Sequence, residues 1–182
     1  MKILHDSTIF NSLSNSILFI DTNAFIGIFN YQRIFLNLVK KLKDNNCEFL
    51  TISSVFFEFT RGSSDINTFN KRSSFIKSNA GIISTEKLLG NIESLTIVLQ
   101  KVKGDMSYTD FLLCACLYKF PNSFVITEDH QHFPTNILDR EFIITIDTEK
   151  QIRNYGIYKF SMDKFNKAAE KILMISNPSL KQ

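Results

Sequence analysis

Ser16-Ile17-Leu18-Phe19-Ile20-Asp21-Thr22-Asn23 decides the fold: four apolar residues stop at an acid, a hydroxyl and an amide, and a second apolar segment, Ala24 to Phe29, starts at once. A short unbroken apolar run reads as a strand buried on both faces, as in a parallel sheet flanked by helices. Asp21 then stands where the strand ends, and in open α/β sheets that edge is where ligands bind. The same acid is also a good N-cap for the helix that follows. The choice between these roles turns on whether other acids reach the same edge.

Outward from that stretch the chain alternates. Residues 32–45 carry Phe35, Leu38, Val39 and Leu42 at helical spacing, with Lys40, Lys41 and Lys43 mostly on the other side. Phe49 to Ile52 reads as a second strand, and Ser53-Ser54 after it opens a helix that holds Glu58 among Val55, Phe56, Phe57 and Phe59. Residues 63–79 read as a largely exposed helix and Gly81 to Ile83 as a short extended piece. From Glu86 to Val102 a seam of Leu88, Ile92, Leu95, Leu99 and Val102 predicts one helix that packs on the core or, less simply, on a second copy of the chain. Ser107 to Asp110 starts a helix that is almost wholly apolar up to Phe120, with Ser107 and Asp110 spaced like a capping box. A carboxylate on the first turn of a buried helix is costly unless another group answers it.

Ser123 to Ile126 repeats the opening pattern, ending in Thr127-Glu128-Asp129, and Phe142 to Ile146 gives one more strand before Asp147. His130 and His132 lie beside these acids without a partner at metal-ligand spacing and read as loop residues. A terminal amphipathic helix follows Ser161, with Lys164, Lys167 and Lys171 on its outer side. The expected organisation is a single domain over 1–182, with a core at about 16–147 and a helical extension at about 148–182.

At 182 residues and 44% hydrophobic, the chain can bury roughly 70% of its unfolded surface in one core. Cys47, Cys114 and Cys116 are odd in number and fit neither a disulfide framework nor zinc spacing. A cytoplasmic chain without a membrane span is expected. A net charge of +3 is compatible with a nucleic-acid partner without demanding one.

If the strands at 17–20, 49–52 and 124–126 are parallel and joined by right-handed crossovers, their C-terminal ends share an edge. Asp21, Glu58 and Asp129 then converge, and Asp110 joins them if its helix starts there. Two carboxylates about 4 Å apart repel by about 4 kcal/mol at an effective dielectric near 20. Such a group holds either protons or cations. Oxygen ligands with open positions suit Mg²⁺ or Mn²⁺. Thr22, Asn23, Ser53, Ser54 and Thr127 are short polar groups at the same edge, and Glu128 leaves open which of two adjacent acids is the last ligand.

These residues resemble the PIN-domain family, the nuclease fold that includes the toxin half of VapBC-type toxin–antitoxin modules. The resemblance rests on the strand ending in Asp21-Thr22-Asn23, Ser53-Ser54 followed by Glu58, Asp110 followed by small apolar residues, and Thr127-Glu128-Asp129 with Phe133 beyond. It implies a three-layer α/β/α sandwich on a mainly parallel sheet. It also implies Mg²⁺- or Mn²⁺-dependent hydrolysis of RNA by Asp21, Glu58, Asp110 and Asp129, with Thr127 in support and an antitoxin or a second copy as partner. The segments at 63–103 and 148–182 exceed what a compact toxin of that family needs. A PIN-like module that binds RNA or protein without cutting, and a DNA nuclease or phosphatase on the same acids, are the other readings.

Overall fold

The structure, a computed structural model, describes residues 2–5, 8–147 and 151–176, with the side chains of residues 2, 3, 34 and 173–176 outside that description. In chain order the elements are β1 (Lys2–Leu4), α1 (Ile9–Ser12), β2 (Ile17–Ile20), α2 (Thr22–Asn30), α3 (Gln32–Asp44), β3 (Glu48–Ile52), α4 (Ser53–Arg61) and α5 (Ile66–Asn79). They continue with β4 (Gly81–Ile83), a 3-10 turn over Thr85–Leu88, α6 (Glu93–Val102), α7 (Tyr108–Lys119), β5 (Ser123–Thr127), β6 (Leu138–Asp147), β7 (Ile152–Phe160) and α8 (Met162–Ser176).

The strands form one seven-stranded sheet in the order β1-β6-β7-β5-β2-β3-β4. β5, β2, β3 and β4 pair in parallel, whereas β7, β6 and β1 add antiparallel. Leu18, Phe19 and Ile20 are all buried, and so is every residue of β5. Successive strand side chains point to opposite faces, so consecutive burial means that both faces are covered. Helices α2 to α5 pack among themselves, and α6, α7 and α8 form a second group with the 3-10 turn, an arrangement compatible with α/β/α layers.

The parallel strands are aligned at their starts. Ile17 stands beside both Glu48 and Ser123 in register. Asn15, Asn46 and Asn122, each in a left-handed conformation with φ of 57°, 59° and 57°, lead into β2, β3 and β5. Asparagine tolerates that conformation better than most residues. The Asn122 side-chain amide also donates to the Asn15 carbonyl at 3.0 Å. Strands locked together at one edge deliver their C-terminal ends together at the other, where Asp21 N–H donates to the Ile126 carbonyl at 3.1 Å.

Two expectations need correction. Residues 152–160, assigned to a helical extension, form β7, whose Gly156 and Tyr158 pair with Thr127 and Val125; residues 148–150 and 177–182 of that extension lie outside the described residues. The seam at 86–102 is not one helix: it breaks at Gly90-Asn91, with Asn91 at φ 58°, and Leu88, Ile92, Leu95 and Leu99 are buried in the chain's own core. The mainly parallel sheet is mixed at one side: β5, β2, β3 and β4 pair in parallel, β7, β6 and β1 add antiparallel pairs, and five of the seven strands run the same way. No helix among the described residues is long and apolar enough to cross a membrane.

Candidate metal centre

Four elements deliver the acids to the C-terminal edge of the parallel strands. Asp21 follows β2 directly and is the N-cap of α2, so one side chain both stands at the strand end and caps the helix. It is 3% exposed. Its Oδ1 accepts from Thr22 N–H at 2.6 Å and its Oδ2 from the Thr127 hydroxyl at 2.7 Å. The Thr127 oxygen in turn accepts from Asp129 N–H at 2.9 Å. One threonine at the end of β5 thus spans two acids.

Glu58 is reached from two sides. Thr22 Oγ1 donates to Oε2 at 2.6 Å, and Thr109 Oγ1 donates to Oε1. Each donor is the chain neighbour of another acid, Asp21 or Asp110. Asp110, 7% exposed, sits on the first turn of α7. Ser107 caps that helix: its oxygen accepts from Asp110 N–H at 3.1 Å while its hydroxyl donates to Asp110 Oδ2 at 2.6 Å. The N-terminal ends of α2 and α7 lie at this site, and helix starts favour negative charge.

Asp129 is half-buried and ties the outer wall together. Its Oδ1 accepts from the N–H groups of Gln131 and His132 at 3.0 and 3.2 Å, and its Oδ2 lies 2.7 Å from His132 Nδ1. The same imidazole nitrogen is 3.6 Å from Asp110 Oδ2. Asp110, Asp129 and His132 each offer an atom within 4.8 Å of the others, a spacing that a metal ion could bridge.

The electrostatics grade from inside to outside. Burial pushes the Asp21 carboxyl up to about 7; the Thr127 and Thr22 hydrogen bonds oppose the shift, and the charges of Asp110 and Glu58 add to it. Burial also raises Asp110, against the Ser107 hydrogen bond and the charge of His132 and with the charges of Asp129 and Glu58. For Asp129 burial is outweighed by His132 and Gln131, which hold its carboxyl below the ordinary range. Asp21 thus feels the charges of Asp110 and Glu58, and Asp110 those of Asp129 and Glu58. That mutual repulsion is what a divalent cation relieves.

Not every expected residue joins. Glu128 turns away into a two-pronged ion pair with Arg153 of β7, Nε to Oε1 at 2.8 Å, which leaves Asp129 as the acid that meets Asp110. Asn23 stands beside the Thr127 hydroxyl, with its amide nitrogen 3.3 Å from Thr127 Oγ1, and its Oδ1 accepts from Glu128 N–H at 2.7 Å, which fixes the turn after β5. Ser53 donates to the Ile83 carbonyl at 3.1 Å, holding β4. Ser54 Oγ is buried with no hydrogen-bond partner among the described residues. Both serines stand at the sheet edge where they were expected, at the start of α4, with Ser53 bonded to β4 rather than to a carboxylate.

Two contributors were not foreseen. His132, read as a loop residue, forms part of the cluster; its signal was its place three residues after Asp129, which lets a tight turn fold the ring back. Thr109 stood beside Asp110 without any pattern marking it. His130, the other loop histidine, lies outside the cluster, with Nδ1 2.8 Å from the Tyr158 hydroxyl and Nε2 3.1 Å from the Asn154 carbonyl. Compared with protein-family models, with curated proteins and with solved structures, the chain matches none.

Proposed function

We propose that the chain is a PIN-like, divalent-metal-dependent endoribonuclease with Asp21, Glu58, Asp110 and Asp129 as its acidic centre. The observation that carries this reading is the cross-linking of the four carboxylates by Thr22, Thr109, Thr127 and His132, which joins residues up to 106 positions apart. A surface acidic patch has no need of such donors. The donor set fits the metal: the carboxylate oxygens of Asp110 and Asp129, close enough for one ion to meet both, suit Mg²⁺ or Mn²⁺. Asp110 and Asp129 would hold the ion, with Asp21 and Glu58 beside them held by Thr127, Thr22 and Thr109. Once bound, the ion supplies Lewis acidity toward water and neutralises phosphate charge.

The protein's own part is orientation. Ser107 and Thr127 fix single rotamers of Asp110 and Asp21, so little reorganisation is left for the binding step. His132 holds Asp129 in place and in its charged form. The N–H dipoles at the starts of α2 and α7 favour a phosphate at this edge. RNA as the substrate rests on the family resemblance, and an antitoxin-like partner rests on the same ground.

The test is incubation of the purified protein with labelled RNA and DNA in Mg²⁺, Mn²⁺ and EDTA, beside Asp129→Asn and Asp21→Asn. RNA cleavage that needs metal and falls at least a hundredfold in both variants is expected. Binding without cleavage under any metal would instead make the chain a silent PIN-like module.

A further inference from the structure

Next to Glu58 the surface carries an apolar hollow of about 680 Å³, between the end of α4 and the start of α5. Phe57 is 67% exposed on one side, and Ile66 and Phe69 are 68% and 39% exposed on the other. Scattered single apolar residues on a surface need no explanation, but a contiguous cluster against a functional edge does. The rings are not needed to join the helices. Asp65 caps α5 through Thr68 N–H at 2.9 Å. Arg72 reaches back to the Phe59 carbonyl at 2.8 Å and lies over the Phe59 ring. The hollow is therefore preformed, with its largest side chains facing solvent.

We propose that this hollow binds an unpaired nucleobase of single-stranded RNA, adjacent to the phosphate held at the acidic centre. The proposal rests on the nuclease reading and adds the form of substrate that the site takes. Glu58 lines the hollow as well as the acidic centre, so an occupant of one borders the other. Arg61 is the only cation among the lining residues, which also include Asp65. An aromatic, uncharged base suits that wall better than a phosphate does. Bases stack on exposed aromatic rings and on guanidinium planes, and only an unpaired base offers a free face.

The test reads binding apart from cleavage. The Asp129→Asn protein is titrated in Mg²⁺ into a short single-stranded RNA carrying 2-aminopurine, and into the same RNA as a duplex. Stacking on Phe57 quenches the fluorescence of the single strand, and the duplex binds at least tenfold more weakly. Adding Phe57→Ala lowers affinity for the single strand by roughly tenfold and removes the quench. Phe57→Tyr restores both, and melting temperatures confirm that each variant is folded. Equal binding by Phe57→Ala, equal binding of duplex and single strand, or no RNA binding at all would overturn the proposal. So would self-association lost in Phe57→Ala without any quench, which would give the hollow to a second copy of the chain. Failure here is distinct from failure of the nuclease reading. Metal-dependent cleavage unaffected by Phe57→Ala sinks only the base site, whereas Phe57-dependent binding with no cleavage by the parent protein sinks only the nuclease.

Discussion

At the scale of single residues, Asp21 sets stability against function. Its carboxyl titrates near 7 in the fold because of burial, against an ordinary value near 3.9 in the unfolded chain. The folded state therefore holds a proton that the unfolded chain has already lost. The Asp21 contribution to stability is fullest below about pH 4, declines as pH rises to about 7, and is flat above that. Holding such an acid charged at neutral pH costs on the order of 4 kcal/mol at most. Asp21→Asn in EDTA is expected to melt several degrees above the parent at pH 7.5 and to lose that advantage by pH 4. Melting curves at the two pH values check it; a lower melting temperature at pH 7.5 would contradict the burial argument. The sequence marked Asp21 and Asp129 as candidates by their place just after a strand and Asp110 by its place on the first turn of a helix, whereas Glu58, in the middle of α4, stood out only as a charge among apolar residues. It could not separate Asp129 from Glu128, since that choice depends on Arg153, which arrives from a strand 25 residues later.

At the scale of elements, α2 and β7 meet at one point that fixes how the site is carried. A Cβ at Gly27 would overlap the Tyr155 hydroxyl, so glycine lets the ring of β7 lie against the helix whose first residues follow Asp21. The Tyr155 hydroxyl is buried without a hydrogen-bond partner among the described residues, and burial holds its ionisation up at about 12. Alanine is the better helix former by about 1 kcal/mol, yet Gly27→Ala is expected to destabilise by about 2 kcal/mol through that overlap. Tyr155→Phe removes the orphaned hydroxyl and is expected to be neutral or slightly stabilising. The double variant should recover at least half of the loss, which urea melts of the four proteins would measure as a coupling energy. Helix α3 was legible from its apolar stripe, as was α8. β7 was not, because Ile152, Arg153, Asn154, Tyr155 and Gly156 show no clean alternation and the glycine weakens the strand signal. The break in the seam at Gly90-Asn91 was visible as residue types, but four-and-three spacing outweighed it until Asn91 took its left-handed turn.

At the scale of the whole molecule, the sheet edge gathers four carboxylates, and an ion bound there would act on the stability of the whole fold. Each ion bound by the folded chain alone stabilises it by mass action, about 2.7 kcal/mol at a hundred times the dissociation constant. For a chain of this length that corresponds to a rise of about 5–10 °C in melting temperature. Mn²⁺ or Mg²⁺ is expected to produce it in the parent, and Asp110→Asn with Asp129→Asn should abolish it; differential scanning calorimetry with and without EDTA would measure both. The sequence by itself determined the α/β alternation, the buried strand before Asp21 and the identity of the acids, because hydrophobic period and strand-end position are local properties of the chain. Only the tertiary structure decided which acid faces the others, that His132 and Thr109 join them, and that β7 and β1 run against the other five strands. Those outcomes depend on hydrogen bonds and pairings between residues tens of positions apart, and no local pattern encodes the partner a side chain will meet.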